Sequence, residues 1–276
     1  MADLPAARRQ AILDAPYHPP PGDPVAVHVD DAILVLDKPA GLLCAPGLGE
    51  DKQDCLVARA QARWPGALLV HRLDLATSGL VVLARTREAH AALSAAFRDR
   101  RVEKAYEALV YGPLPSQAGD IDLPLAADWP NRPRQKVCHE TGKASHTRWR
   151  RLAGGPAELG RAAGTATTAA MPTAMDTVGG MPLVWEHVWL QPLTGRSHQL
   201  RVHLAAIGCP IVGDALYGRA VEDAPRLMLH ATRLAFRHPV SGEAVSCDSA
   251  VPFAAQLASQ KNTAAIRRSA SASPPK

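Results

Sequence analysis

The sequence predicts an α+β fold, a large mixed and mainly antiparallel sheet with a few flanking helices. Three observations predict it. Apolar or β-branched runs bounded by Gly, Pro or Asp recur through the middle of the chain. Few stretches carry helical spacing, and strand and helix do not alternate in a regular βαβ order.

In chain order, strands are expected at ILVLDK (33–38), GLVVLART (79–86), YEALVYG (106–112), SHTRWRRL (145–152), LVWEHVWL (183–190) and LMLHATRLAF (227–236). The near-alternation of LVWEHVWL suits a half-buried antiparallel strand. A helix is expected over 87–99, where Ala91, Leu93, Ala96 and Phe97 recur near helical spacing. Another is expected over 196–207, with Leu200, Leu204 and Ile207 on one stripe and Gly208 as its stop. Residues 1–24 contain HPPPGDP, which forms neither helix nor inner strand, and read as a flexible segment. One folded domain is expected over 25–257. Within it, 153–182 is rich in Gly, Ala and Thr and reads as a long surface insertion lying away from any cleft. Residues 258–276 read as a disordered basic tail carrying Lys261, Arg267 and Arg268.

Composition narrows the function classes. At 276 residues, with 47% hydrophobic and 21% charged, the chain is neither wholly disordered nor collagen-like. Lys plus Arg is 31 against 26 Asp plus Glu, a net charge of +5 that favours a polyanionic partner without proving one. No apolar stretch has the length of a membrane span, and the N-terminus lacks the apolar block and cleavage site of a secretory signal, so no membrane partner is expected. Cys44, Cys55, Cys138, Cys209 and Cys247 are scattered without a CxxC pair. That pattern fits reduced thiols in a cytoplasmic protein better than a disulfide framework or a zinc site.

Two segments carry the chemistry. His71-Arg72-Leu73-Asp74-Leu75-Ala76-Thr77-Ser78-Gly79 sets a carboxylate in a polar turn just before a strongly apolar strand, where it can act on a ligand or simply shape the turn. An aspartic-protease triplet does not fit, because Leu75 and Ala76 separate Asp74 from Thr77 and no second such segment supplies a partner carboxylate. The second segment, 191–203, follows a strand and opens a helix. His198 and Arg201 lie three apart on one expected helical face, where a guanidinium could hold a distant carboxylate ionised or merely face solvent. Thr194-Gly195-Arg196 before a helix is also a weak signal for phosphate binding.

HRLDLATSGL (71–80) resembles the catalytic signature of the RluA-type pseudouridine synthases. KPAGLLCAPG (38–47), EKAYEALVYG (103–112), LTGRSHQLRVH (193–203) and RLMLHA (226–231) resemble further motifs of that family, in family order from about Val25 to Phe253. DWPNRPRQKV (128–137) resembles the branch acting on both a 23S rRNA loop and a tRNA anticodon loop. The resemblance implies the family's catalytic fold and isomerisation of uridine to pseudouridine, without metal or other cofactor. It implies Asp74 as the catalytic carboxylate, Arg201 as its partner cation and Tyr106 as the tyrosine stacking on the target base. It also implies Arg72 entering the RNA stack vacated by the flipped uridine, with His71, Arg132, Arg134, Arg196 and His198 as further RNA-contacting residues. The implied partners are tRNA and 23S rRNA stem-loops; no protein partner is evident, and with no strongly apolar exposed helix in the sequence a monomer is the default expectation.

Two other classes compete. A noncatalytic RNA-binding assembly factor could use the same cleft, but a pure binder has no need for an anion beside Tyr106 and Arg201. A hydrolase acting through Asp74 would lack the second carboxylate expected of most such sites.

Overall fold

The computed structural model describes residues 16–152, 177–178, 181–182, 185–218 and 224–253. Most of the 153–182 insertion, all of the 258–276 tail and residues 1–15 lie outside the described residues.

The elements run β1 (Val25–Val29), β2 (Ile33–Lys38), α1 (Leu56–Arg63), β3 (Leu68–Leu69), β4 (Ser78–Ala84), α2 (Arg87–Arg98), β5 (Glu103–Tyr111), β6 (Ala118–Asp122), β7 (Leu125–Ala127), β8 (Gln135–Val137) and β9 (His146–Arg151). They continue with β10 (Thr177–Val178), β11 (Met181–Pro182), β12 (Trp185–Pro192), α3 (Gln199–Ala206), β13 (Leu229–Arg237) and β14 (Ala244–Asp248). The main sheet has the order β1-β2-β4-β13-β5-β12-β9-β6, with β14 on β13 and β3 on β4. Among the described residues its pairs are antiparallel except β4 with β13, where Ser78 meets His230 and Gly79 meets Ala231. The expected mixed, mainly antiparallel sheet is therefore the architecture found.

Each of the six expected runs becomes a strand because helices cover the sheet. All seven residues of β4 are buried. Val81 and Leu83 pack with Leu56 and Ala60 of α1 on one face, and Leu80 and Val82 pack with Ala89 and Leu93 of α2 on the other. A strand covered on both faces reads as a continuous apolar run. Thr86 caps α2 by accepting a 3.1 Å bond from the Ala89 amide. On the other half of the sheet, Leu200 and Leu204 of α3 pack with Val188, Leu190 and Trp149.

Several elements depart from expectation. α3 begins at Gln199, three residues later than expected, because the Gln199 side chain holds the preceding turn. Its Oε1 accepts from the Thr194 hydroxyl at 2.7 Å and the Arg196 amide at 3.0 Å, while its Nε2 donates to His146 O and Thr147 Oγ1 of β9. His198 thus precedes the helix, in a left-handed conformation with φ 53°, and does not share a helical face with Arg201. Gly208, at φ 81°, ends the helix as expected. The 128–137 segment is not an open loop but the tip and return strand of the β7–β8 hairpin. β1, α1, β3, β6, β7, β8, β10, β11 and β14 correspond to no expected element.

The register of β12 on β9 sets Pro192 opposite Thr147 and Val188 opposite Arg151. Gln191 and Pro192 line the cleft described below, so both strands turn their other ends, Arg151 and Trp185, away from it. No helix of the described residues is long and apolar enough to cross a membrane.

Gly79 is where the parallel strands approach most closely. At φ +113° it occupies a region that L side chains avoid, and an added Cβ would lie 2.3 Å from the Ala231 carbonyl oxygen. Gly79→Ala is expected to cost more than about 1 kcal/mol of stability. The measurement is the midpoint of urea unfolding at unchanged slope, and an unchanged midpoint would count against the constraint.

Candidate active site

A cleft of about 730 Å³ opens where four parts of the chain converge. These are the 71–77 loop before β4, the α2–β5 connection, the start of β5, and the turn from the end of β12 into α3. The first loop is held by backbone bonds from Thr77 N to Asp74 O (3.1 Å) and from Gly41 N to Leu75 O (2.9 Å). Lys38, fully buried, ties the 38–42 and 71–77 turns together. Its Nζ donates to the carbonyls of Pro39 (2.9 Å), Leu42 (2.8 Å) and Leu75 (3.2 Å). Burial draws its pKa down to about 8.

Asp74 faces the cleft with its side chain 26% exposed. Arg201 Nη1 lies 3.5 Å from Asp74 Oδ2, so the two side chains meet. The pairing is looser than the sequence implies, because the guanidinium is already engaged. Arg201 Nε and Nη2 each donate at 2.8 Å to the two oxygens of Asp214, whose side chain is wholly buried. Asp214 Oδ1 also accepts the amides of Leu216 (2.9 Å) and Tyr217 (3.0 Å). Burial works to raise the Asp214 carboxyl, but Arg201 and these amides hold it below the usual range. Burial likewise opposes the Arg201 charge, and Asp214 overrides it, so the guanidinium pKa rises.

Tyr106 also lines the cleft, from β5 opposite Leu190 and Ala231. Burial first, and then the Asp74 charge, pushes its phenol well above the ordinary range, so the hydroxyl keeps its proton at neutral pH. Arg72 is exposed at the mouth. Arg196 lines the cleft while its Nε donates to Ala144 O at 3.2 Å. His198 Nδ1 lies 2.7 Å from the Tyr217 hydroxyl and its Nε2 lies 3.9 Å from Asp74 Oδ1. Thr77 Oγ1 lies in the cleft wall with no hydrogen-bond partner among the described residues, a buried hydroxyl of the kind a ligand commonly satisfies.

The structure gives three of the expected residues a different setting. His71 Nε2 accepts the Val82 amide at 3.1 Å, and its ring stacks on Phe97 with centroids 4.3 Å apart. Burial draws its pKa down to about 3, so His71 forms uncharged wall and offers no positive charge to RNA. Arg132 and Arg134 do not line the cleft. They project from the β7–β8 hairpin, where the Arg132 guanidinium lies 3.2 Å from the Trp129 ring centre and that of Arg134 lies 5.4 Å from the Tyr217 ring centre.

Sequence reasoning missed Asp214 and Tyr217. Both sit in GDALYG (213–218), whose Gly-Asp start signals a turn but not a buried one. It also missed Arg100 and Lys104 on the cleft wall. Among the described residues no three His, Cys, Asp or Glu side chains are grouped to hold a metal ion.

A carboxylate, a tyrosine and a forked guanidinium in one polar cleft define an enzyme site. A family model for RNA pseudouridylate synthase matches residues 32–206, from β2 to the end of α3. The dual-specificity RNA pseudouridine synthase RluA of Escherichia coli (strain K12) is 43% identical over 239 residues, covering 85% of this chain and 97% of that protein. Its counterpart in Vibrio vulnificus (strain CMCP6) is 44% identical over 226 residues, covering 80% and 82%. The solved structure of human RNA pseudouridylate synthase domain containing 1 superposes with a TM-score of 0.64 at 26% identity, covering 93% of this chain and 99% of that one. The chain belongs to the RluA family of RNA pseudouridine synthases. It is an isomerase that converts uridine in RNA to pseudouridine, and the reading as a noncatalytic assembly factor is not favoured.

The Arg201–Asp214 fork yields a stability prediction. Asp214→Asn leaves a buried guanidinium without its counter-charge and is expected to lower the unfolding free energy by about 3–5 kcal/mol, read from urea denaturation.

Proposed function

We propose that this synthase isomerises uridines in the loops of tRNA anticodon stems and 23S rRNA, with Asp74 as catalytic carboxylate. The observation that carries the reading is the convergence of Asp74, Tyr106 and Arg201 on one cleft with Arg72 at its mouth. The dual specificity named for the relatives and the DWPNRPRQKV segment support the substrate pair.

The reaction breaks the C1′–N1 bond, turns the uracil and joins C1′ to C5. The C5 proton is lost and N1 gains one, so the product is an isomer. Asp74 either attacks C1′ or removes a proton from the sugar, and both courses need it anionic. Arg201, charged at any accessible pH, sets its Nη1 3.5 Å from Asp74 Oδ2. Tyr106 offers an aromatic face to the uracil, a stack worth about 1–3 kcal/mol. Its retained phenol proton makes it a hydrogen-bond donor toward the base. Arg72, planar and free at the mouth, replaces part of the stacking lost when a nucleotide is everted, which costs least in a loop. Arg196 and His198 bound the pocket for the nucleoside, while Arg132 and Arg134 meet backbone phosphates outside it.

The catalytic domain is proposed to run over 25–257, flanked by segments at 1–24 and 258–276. β9 and β12 turn away from the cleft where they meet the 153–182 insertion, which supports its lying outside the catalytic region. We infer action as a monomer, in the cytoplasm where tRNA and ribosomes are found.

Release of tritium from [5-³H]uridine in an anticodon stem-loop and in 23S rRNA hairpin transcripts measures the reaction directly. Turnover on both is expected with wild type. Asp74→Asn is expected to abolish it while leaving RNA binding and thermal unfolding unchanged, and an active variant would remove Asp74 from its role. Arg132→Ala is expected to weaken RNA binding and lower the slope of log K against log salt by about 0.7, with kcat at saturating RNA unaffected.

A further inference from the structure

We propose that His198 is a positioning residue whose tautomer is set by Tyr217, so that its Nε2–H faces Oδ1 of Asp74 while Arg201 faces Oδ2. The inference deepens the reading of Asp74 as catalytic carboxylate and rests on it.

The hydrogen-bond inventory of Tyr217 dictates the tautomer. Its hydroxyl accepts the backbone amide of Gln135 at 2.7 Å, and His198 Nδ1 lies 2.7 Å from the same oxygen. If Nδ1 carried the proton, the hydroxyl would accept twice, and its own hydrogen would have no acceptor among the described residues. Tyr217 is buried, so that vacancy is costly. The satisfied arrangement has the tyrosine donating to Nδ1, which leaves the imidazole proton on Nε2. Nε2 is the nitrogen turned toward Asp74 Oδ1, at 3.9 Å. The other tautomer would aim a lone pair at the carboxylate. Two separate requirements, one at each ring nitrogen, select the same form.

The backbone supports a dedicated placement. His198 holds φ 53° at the N-terminus of α3, a conformation a β-carbon disfavours and which persists only where surroundings impose it. Its ring meets the Tyr217 ring edge-on, with centroids 5.6 Å apart. The Tyr217 ring in turn lies 5.1 Å from the Arg201 guanidinium and 5.4 Å from that of Arg134. Tyr217 thereby joins the hairpin amide, the partner cation and the imidazole in one contact set. The charged groups facing His198 are Asp74, Arg201, Asp214 and Arg72. Burial, with Arg201 and Arg72, outweighs the two carboxylates and keeps the imidazole uncharged below its ordinary pKa. An uncharged N–H donor orients a carboxylate without neutralising it as an imidazolium would. The 3.9 Å separation is one that closure on RNA can shorten to a hydrogen bond, since catalytic contacts are often long before substrate binds.

Tyr217→Phe keeps the ring against Arg201 and removes only the hydroxyl. It is expected to lower kcat about 100-fold with KM near wild type. The acidic limb of its kcat profile is expected at higher pH, because the bond that favours the uncharged imidazole is gone. His198→Gln supplies an amide N–H near the position of Nε2 and is expected within about tenfold of wild type, while His198→Asn, whose amide falls near Nδ1, is expected to lose about 100-fold. Equal kcat for the Gln and Asn variants, or a wild-type pH profile for Tyr217→Phe, would overturn the proposal. Long-range ¹H–¹⁵N spectra of histidine-labelled wild type test the tautomer without relying on any variant's stability, and protonation at Nδ1 would equally overturn it. Asp74→Asn assayed in parallel separates the two readings. If it retains turnover, the role of Asp74 fails. If it is inactive while Gln and Asn behave alike, only the assignment of His198 fails.

Discussion

Two N–H···O bonds of 2.8 Å join Arg201 to Asp214 inside the wall of the cleft, and the charged groups around Asp74 are arranged about that fork. A lone guanidinium in such a place would carry a heavy desolvation cost and would be free to swing onto Asp74. Anchored by Asp214, it presents Nη1 at 3.5 Å from Asp74 Oδ2, with its other two donors committed to Asp214. Asp214 is itself held by the amides of Leu216 and Tyr217, so the turn after α3 sets the electrostatics of a carboxylate 140 residues earlier in the chain.

Legibility of the fold in the sequence followed burial. β2 and β4 are covered on both faces and read as continuous apolar runs. β1 inverts the usual alternation: Val25, Val27 and Val29 point to solvent, 67%, 40% and 44% exposed, at the sheet edge. Its apolar side chains carry no information about an inner face. α1 is eight residues long and buries only Leu56 and Ala60, too little for a periodic stripe to emerge. β6 reads as a turn because Gly119, Asp120 and Asp122 suit an exposed edge. The parallel pairing of β4 with β13 depends on Gly79 and Ala231, which are 152 residues apart, and has no local signature.

The candidate site was legible in its principal residues and opaque in their supports. Asp74, Tyr106 and Arg201 stand in motifs that order themselves along the chain, and the structure brings them to one cleft. The Asp214 partner was hidden because GDALYG has the composition of a surface turn, and only the three-dimensional position of Arg201 gives its aspartate a reason to be buried. His71 stands in the same signature as Asp74, yet the Val82 amide and the Phe97 ring claim its imidazole for the wall. Positive charge along the cleft is therefore carried by guanidinium and ammonium groups, since burial lowers the pKa of both His71 and His198.

β9 and β12 run from the cleft at one end to a surface remote from its lining at the other. At the Thr147 and Pro192 end, β9 is bonded to the Gln199 side chain, which also holds the turn before α3. The Arg151 and Trp185 end does not line the cleft. A fluorophore or immobilisation handle attached at that end would sit away from the cleft lining.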